Sequence, residues 1–138
     1  MAGRGVSRGG IWPLVIVVVL VFLTSPAVAQ DSTDALIGYW RQNGEAVFME
    51  ISQTESGFEG VIVRADWTPG LVGSKVYPML AYNDDRKRWI GRMLVPESQQ
   101  VEDVELTLKR NNKELWSKTL SGPRTRVKWK RATPEEVN

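Results

Sequence analysis

The sequence predicts an all-β domain, a small antiparallel up-and-down barrel of about eight short strands. Three observations carry that prediction. Apolar and polar residues alternate in short runs, most clearly where Val104, Leu106 and Leu108 interleave with Glu105, Thr107 and Lys109. Turn-forming residues separate these runs at hairpin distance. No stretch beyond the first thirty residues keeps a helical period. Closing such a sheet removes its exposed edges. An eight-stranded closure leaves an interior that side chains just fill, or that holds one small ligand. A two-sheet sandwich is the alternative that strand counting leaves open.

In chain order, residues 1–29 read as an export leader. Arg4 and Arg8 give a positive start, Leu14 to Leu23 is unbroken apolar sequence, and Ala27-Val28-Ala29 is a small-residue cleavage site after Pro26. An uncleaved membrane anchor is the competing reading, but a span needs roughly 20 apolar residues and this run stops short. Residues 30–35 are a polar lead-in, 36–132 the barrel, and 133–138 a disordered tail.

The first strand is expected over Ile37–Gln42, then an Asn43-Gly44 turn of type I′ and a second strand over Ala46–Gln53. Glu55-Ser56-Gly57 turns the chain into Phe58–Arg64, which is rich in β-branched residues. The segment from Asp66 to Ser74 is longer and turn-rich, with Pro69-Gly70 at its centre. Lys75–Tyr82 follows, where Pro78 implies an edge or a bulge. Arg88–Val95 ends at Pro96, and Glu97–Gln100 reads as a polar loop. Asn111-Asn112 joins the Val104–Leu108 run to Glu114–Leu120. In the last strand Thr125, Val127, Trp129 and Arg131 alternate with Arg124, Arg126, Lys128 and Lys130.

Composition removes many functions. The chain has no cysteine and no histidine, so disulfides, Ser-His-Asp or Cys-His catalysis and histidine-ligated zinc or haem are excluded within one chain. Stability must come from packing, for which about 109 residues suffice. No phosphate-cradling glycine motif occurs. Two of the 18 basic residues, Arg4 and Arg8, belong to the leader, and the 16 that remain match the 16 acidic residues. A mature chain of zero net charge has no global attraction to nucleic acid. No cofactor, no metal and no nucleic-acid partner is expected, nor any membrane anchor once the leader is removed.

Strand parity places Val127, Trp129 and Arg131 inward together. Arg131 is then the arginine suited to lie across Trp40 of the first strand, closing one end of the barrel with Gly38 and Trp129. The G-x-W of Gly38-Tyr39-Trp40 and the W-x-R of Trp129-Lys130-Arg131 resemble the calycin superfamily, the lipocalins and their relatives. More narrowly, the chain resembles a bacterial family of small exported domains of unknown function with a lipocalin-like barrel. Met49-Glu50-Ile51, Phe58-Glu59-Gly60-Val61-Ile62-Val63 and Trp89-x-Gly91-x-Met93-Leu94-x-Pro96 extend that resemblance from Leu36 to Arg131. The chain departs from the family's pattern at Arg92, at Val95 and in the glycine-free turn after Pro96. The resemblance implies the fold and export to the periplasm or outside the cell. It implies no activity.

Glu45, Glu50, Glu59 and Asp66 are the candidates for a carboxylate pair, but acids scattered on outward strand faces are the ordinary solubilising pattern. No enzymatic activity is expected. Trp67, Leu71 and Val72, apolar residues in the long turn-rich segment, are the candidate ligand-binding residues, with a lid folded on the core as the alternative. Phe48, Phe58, Tyr77, Tyr82, Trp89 and Trp116 would fill the barrel or line a cavity in it. The expected ligand is a small apolar or amphipathic molecule. The alternative is a filled barrel that meets an envelope component through its basic residues, Arg86 and Arg88 foremost.

Overall fold

A computed structural model describes residues 33–95, 98–122 and 124–138. The leader read over residues 1–29 lies outside the described residues. Eight strands run in order around a closed antiparallel barrel: β1 (Gly38–Gln42), β2 (Val47–Gln53), β3 (Phe58–Ala65), β4 (Lys75–Asn83), β5 (Arg88–Val95), β6 (Gln100–Lys109), β7 (Glu114–Thr119) and β8 (Arg126–Ala132). Closure is made by β1 pairing with β8, with Trp40 opposite Arg131 and Gln42 opposite Trp129. The barrel is the predicted class, and the sandwich is not formed.

Alternation decides what goes inside. Trp40, Met49, Ile51, Val104, Leu106, Leu115 and Trp129 are inward and buried. Two glycines let the wall pack this closely. A Cβ on Gly60 would stand 2.7 Å from Met49 Sδ and 3.1 Å from the Tyr77 ring, and one on Gly91 would collide with the Met79 carbonyl. Pro78 sits in an irregularity: the β3–β4 register shifts on either side of Gly60, so two residues of β4 face one of β3. The bulge admits a proline without an edge, because in a closed barrel β4 has partners on both sides.

Several local expectations are corrected. Glu97–Gln100 is not wholly loop: β6 starts at Gln100, which pairs with Val95. In the Asn43-Gly44 turn only Gly44 takes positive φ, +80°, and the Glu45 N–H donates to the Gln42 carbonyl at 3.1 Å. One positive φ at the third position fits a type II turn rather than type I′, and the Asn43 N–H is committed to the Lys128 carbonyl instead.

The tail is not disordered. Pro134–Val137 forms a helical turn (α1) with a reciprocal capping box between Thr133 and Glu136. Arg64 donates to the carbonyls of Glu136 and Val137, tying the tail to the outer wall. Phe48 and Trp116 point outward. Phe48 is buried there beneath the guanidinium groups of Arg41 and Arg64, at 5.9 and 5.4 Å from its ring centre.

Candidate functional site

The two ends of the barrel differ. At one end lie the start of β1, the β2–β3, β4–β5 and β6–β7 turns and the end of β8. Here Arg131 lies 4.0 Å over the Trp40 ring. Its Nη1 donates to the Ile37 carbonyl at 3.0 Å and its Nη2 to the carbonyls of Ala35 and Asn112, at 2.6 and 3.1 Å. Trp40 Nε1 donates to the Leu36 carbonyl at 2.9 Å. Burial lowers the pKa of Arg131 from its ordinary value. The guanidinium is accordingly surrounded by carbonyl acceptors that compensate for lost water. Gly38 holds φ +134° and leaves the room Arg131 needs, since a Cβ there would approach Arg131 Nη1 to 3.0 Å. Leu36, Trp40 and Arg131 together shut this end.

Halfway up the barrel Trp129 and Tyr77 meet edge to face, with centroids 6.3 Å apart. Trp129 Nε1 donates to the Tyr77 hydroxyl at 3.0 Å. Burial raises the Tyr77 pKa to about 12, against the opposing effect of the hydrogen bond from Trp129. The hydroxyl therefore stays neutral across the physiological range.

Above Trp129 the interior is hollow. A cavity of about 710 Å³ opens at the other end of the barrel. Its wall is mostly aliphatic: Val47, Ile62, Val76, Met93, Val95 and Val127, with Trp129 beneath. Gln42, Thr68, Thr125 and Arg126 supply its polar groups. The volume and the few polar groups are those of a small-molecule site.

The residues predicted from the β3–β4 segment divide. Leu71, in a short 3-10 turn over Pro69–Leu71, packs against the core and lines the cavity. Trp67 and Val72 do not line it and are 82% and 51% exposed, so Trp67 is not a lid on the core. Gln42 and Arg126 were not anticipated. Gln42 was detectable from pairing, since register with Trp129 puts it inward. Arg126 belongs to the outward set of β8 and reaches the cavity only because it begins the strand at the mouth.

The outer wall carries a second cluster. Glu105 is buried at 3% exposure although it faces away from the core. Arg88 Nη1 donates to both carboxylate oxygens at 3.1 Å, Lys118 lies 3.4 Å away and Arg86 3.9 Å. Burial by itself would raise the Glu105 pKa; Arg88 and Lys118 outweigh it and hold the carboxyl below its ordinary value. Lys109 and Lys128 flank the nearby outward Trp116 at 5.3 and 5.2 Å. The candidate acids Glu50 and Glu59 lie in β2 and β3, outside the cavity lining, as do Glu45 and Asp66.

A solved structure matches this architecture. Protein HP1028 from Helicobacter pylori, described as belonging to the lipocalin family, superposes with a TM-score of 0.56 over 74% of this chain and 86% of its own, at 14% identity. The fold is lipocalin-like. No protein-family model and no curated protein matches the chain. The resemblance to the exported bacterial family therefore rests on the residue motifs alone.

Proposed function

We propose that the protein binds a small apolar or amphipathic molecule in the open half of its barrel. The observation that carries this reading is the aliphatic cavity of about 710 Å³ above Trp129. Burying apolar ligand surface there is favourable by about 25 cal/mol per Å² before the costs of association. Leu71 forms part of the wall, and Trp67 and Val72 stand nearby on the same loop as contacts for an entering ligand. The role is binding rather than catalysis, a reading supported by the absence of histidine and cysteine from the whole chain. Export to the periplasm or beyond is part of the proposal, supported by the leader-like residues 1–29. Native mass spectrometry of protein purified gently from its compartment tests it. A discrete additional mass, lost on denaturation, is the expected result. A clean apo mass in repeated preparations, together with no uptake of added apolar probes, would sink it.

A second reading, contact with an anionic envelope component, is favoured by the outer cluster of Arg86, Arg88, Lys118, Lys109 and Lys128. Charge reversal at Arg86 is its cleaner test, because Arg88 also holds the buried Glu105. Arg86→Glu should then abolish a salt-sensitive pull-down that the unaltered protein gives.

A further inference from the structure

We infer that the outer wall over β5 to β8 docks reversibly, side-on, on a bilayer rich in anionic phospholipid. This deepens the reading in which that wall meets an anionic envelope component, and rests on it. The first support is charge segregation. Residues 86–131, which make β5 to β8, carry 13 Lys and Arg against five Asp and Glu. Residues 30–66, which make β1 to β3, carry two against seven. A chain balanced as a whole is thus strongly polarised, and it turns its basic side to a negative surface.

The second support is what remains after pairing. Along the outward positions of β6 and β7 the carboxylates are Asp103, Glu105 and Glu114. Asp103 is held by Arg92 at 3.3 Å, Glu105 by Arg88 at 3.1 Å and Glu114 by Arg110 at 3.1 Å. Lys109, Arg126 and Lys130 are exposed and make no ion pair with any described residue. Arg126 and Lys130 stand about 13 Å apart along β8. On the convex wall of a barrel these cations diverge rather than converge on one small anion. A cleft of about 260 Å³ on this wall is no seat for one either, because the buried Glu105 carboxylate belongs to its lining. The complement is an extended array of negative charge.

Trp116 decides the kind of array. Lys109 on β6 and Lys128 on β8, the strands on either side of β7, hold their ammonium groups 5.3 and 5.2 Å from its ring centre. Its Nε1 donates to the Glu114 carboxylate at 3.1 Å. A ring flanked by cations leaves no open platform on which a base or a sugar could stack. A half-exposed tryptophan set between lysines suits the headgroup level of a bilayer, where the ring lies at the interface and the ammonium groups meet phosphates.

Co-sedimentation with lipid vesicles, using protein purified from its compartment, tests the assignment. Phosphatidylcholine vesicles containing phosphatidylglycerol should bind the protein at low salt and release it at high salt, and pure phosphatidylcholine should not bind it. Combining Lys109→Gln, Arg126→Gln and Lys130→Gln should weaken binding about a hundredfold, at about fivefold per charge near an anionic surface. The variant should keep its denaturation midpoint, since none of the three makes an ion pair with a described residue. Trp116→Ala should also weaken binding, whereas Trp67→Ala, on the loop at the barrel mouth, should leave it unchanged. Equal binding to the two kinds of vesicle, full binding by the triple variant, or loss of binding in Trp67→Ala would overturn the inference. Salt-sensitive self-association without vesicles would overturn it too, and would give the basic wall to the acidic half of a second copy. Binding of dextran sulfate but not of vesicles would overturn the lipid assignment and leave the broader anionic reading standing. Binding of neither would sink both.

Discussion

The closed and open ends of this barrel are built from the same strands, yet they spend their side chains differently. At the closed end two large groups, Trp40 and Arg131, come into register on neighbouring strands and stack at 4.0 Å, and backbone carbonyls of Ala35, Ile37 and Asn112 absorb the guanidinium. At the open end the inward residues are aliphatic and shorter, Val47, Ile62, Val76, Val95 and Val127, and they leave about 710 Å³ unfilled. Side-chain volume and register thus make one end a stopper and the other a vessel. Stability should concentrate at the first and ligand response at the second.

The largest expected effect is at the stopper. Trp40→Ala should cost about 3–5 kcal/mol in chemical denaturation, the range for deleting a buried aromatic. Arg131→Ala should cost about 2–3 kcal/mol, since the carbonyls it satisfies lose their donors. The double variant should fall short of the sum because the two side chains touch. Strict additivity would mean that the stacked pair contributes nothing as a pair.

The wall between the ends should respond less. Glu105→Gln should destabilise by about 1–2 kcal/mol, by leaving Arg88 and Lys118 uncompensated, with their partial exposure limiting the loss. Its pH signature has a definite sign. The folded carboxyl titrates below its ordinary value, so its stabilisation is complete above the unfolded pKa and is lost as pH falls through the folded one. The unaltered protein should therefore lose stability on acidification below about pH 4.5 more steeply than Glu105→Gln.

Smaller effects on folding are expected at the vessel's rim. Leu71→Asp puts a charge into the cavity wall and should abolish uptake of an apolar probe, at a modest loss of stability. Trp67→Ala should change stability by no more than about 0.5 kcal/mol, because the ring is 82% exposed, and weaken uptake only as far as the loop contributes. Large unfolding by Trp67→Ala, or unchanged uptake in Leu71→Asp, would break the division between the two ends.

Much of the fold was legible because its signals are local. Alternation along Val104–Lys109 and along β8 has a period that no helix can share, and the turn residues stand at hairpin spacing. The tail was misread although Thr133 and Glu136 stand at capping-box spacing, because Pro134-Glu135-Glu136 offers nothing to bury. The fate of the aromatics was not legible. Phe48 and Trp116 sit at positions that alternate like any others, and only the curved wall shows them outside, covered by cations.

The sequence by itself determined the all-β class, the succession of hairpin-linked strands and the alternation within each, because side-chain direction reverses at every residue of a strand. The closure that pairs β1 with β8 was an expectation, which the tertiary structure decided against a sandwich. Whether the barrel is hollow was decided only by the tertiary structure. Filling depends on the summed volume of inward side chains against the circumference that eight strands enclose, and on bulges such as that at Gly60 that set how the wall curves. Arg126 shows the same limit. Parity assigns it to solvent, but at the first position of β8 the wall ends, and an outward residue there becomes part of the rim.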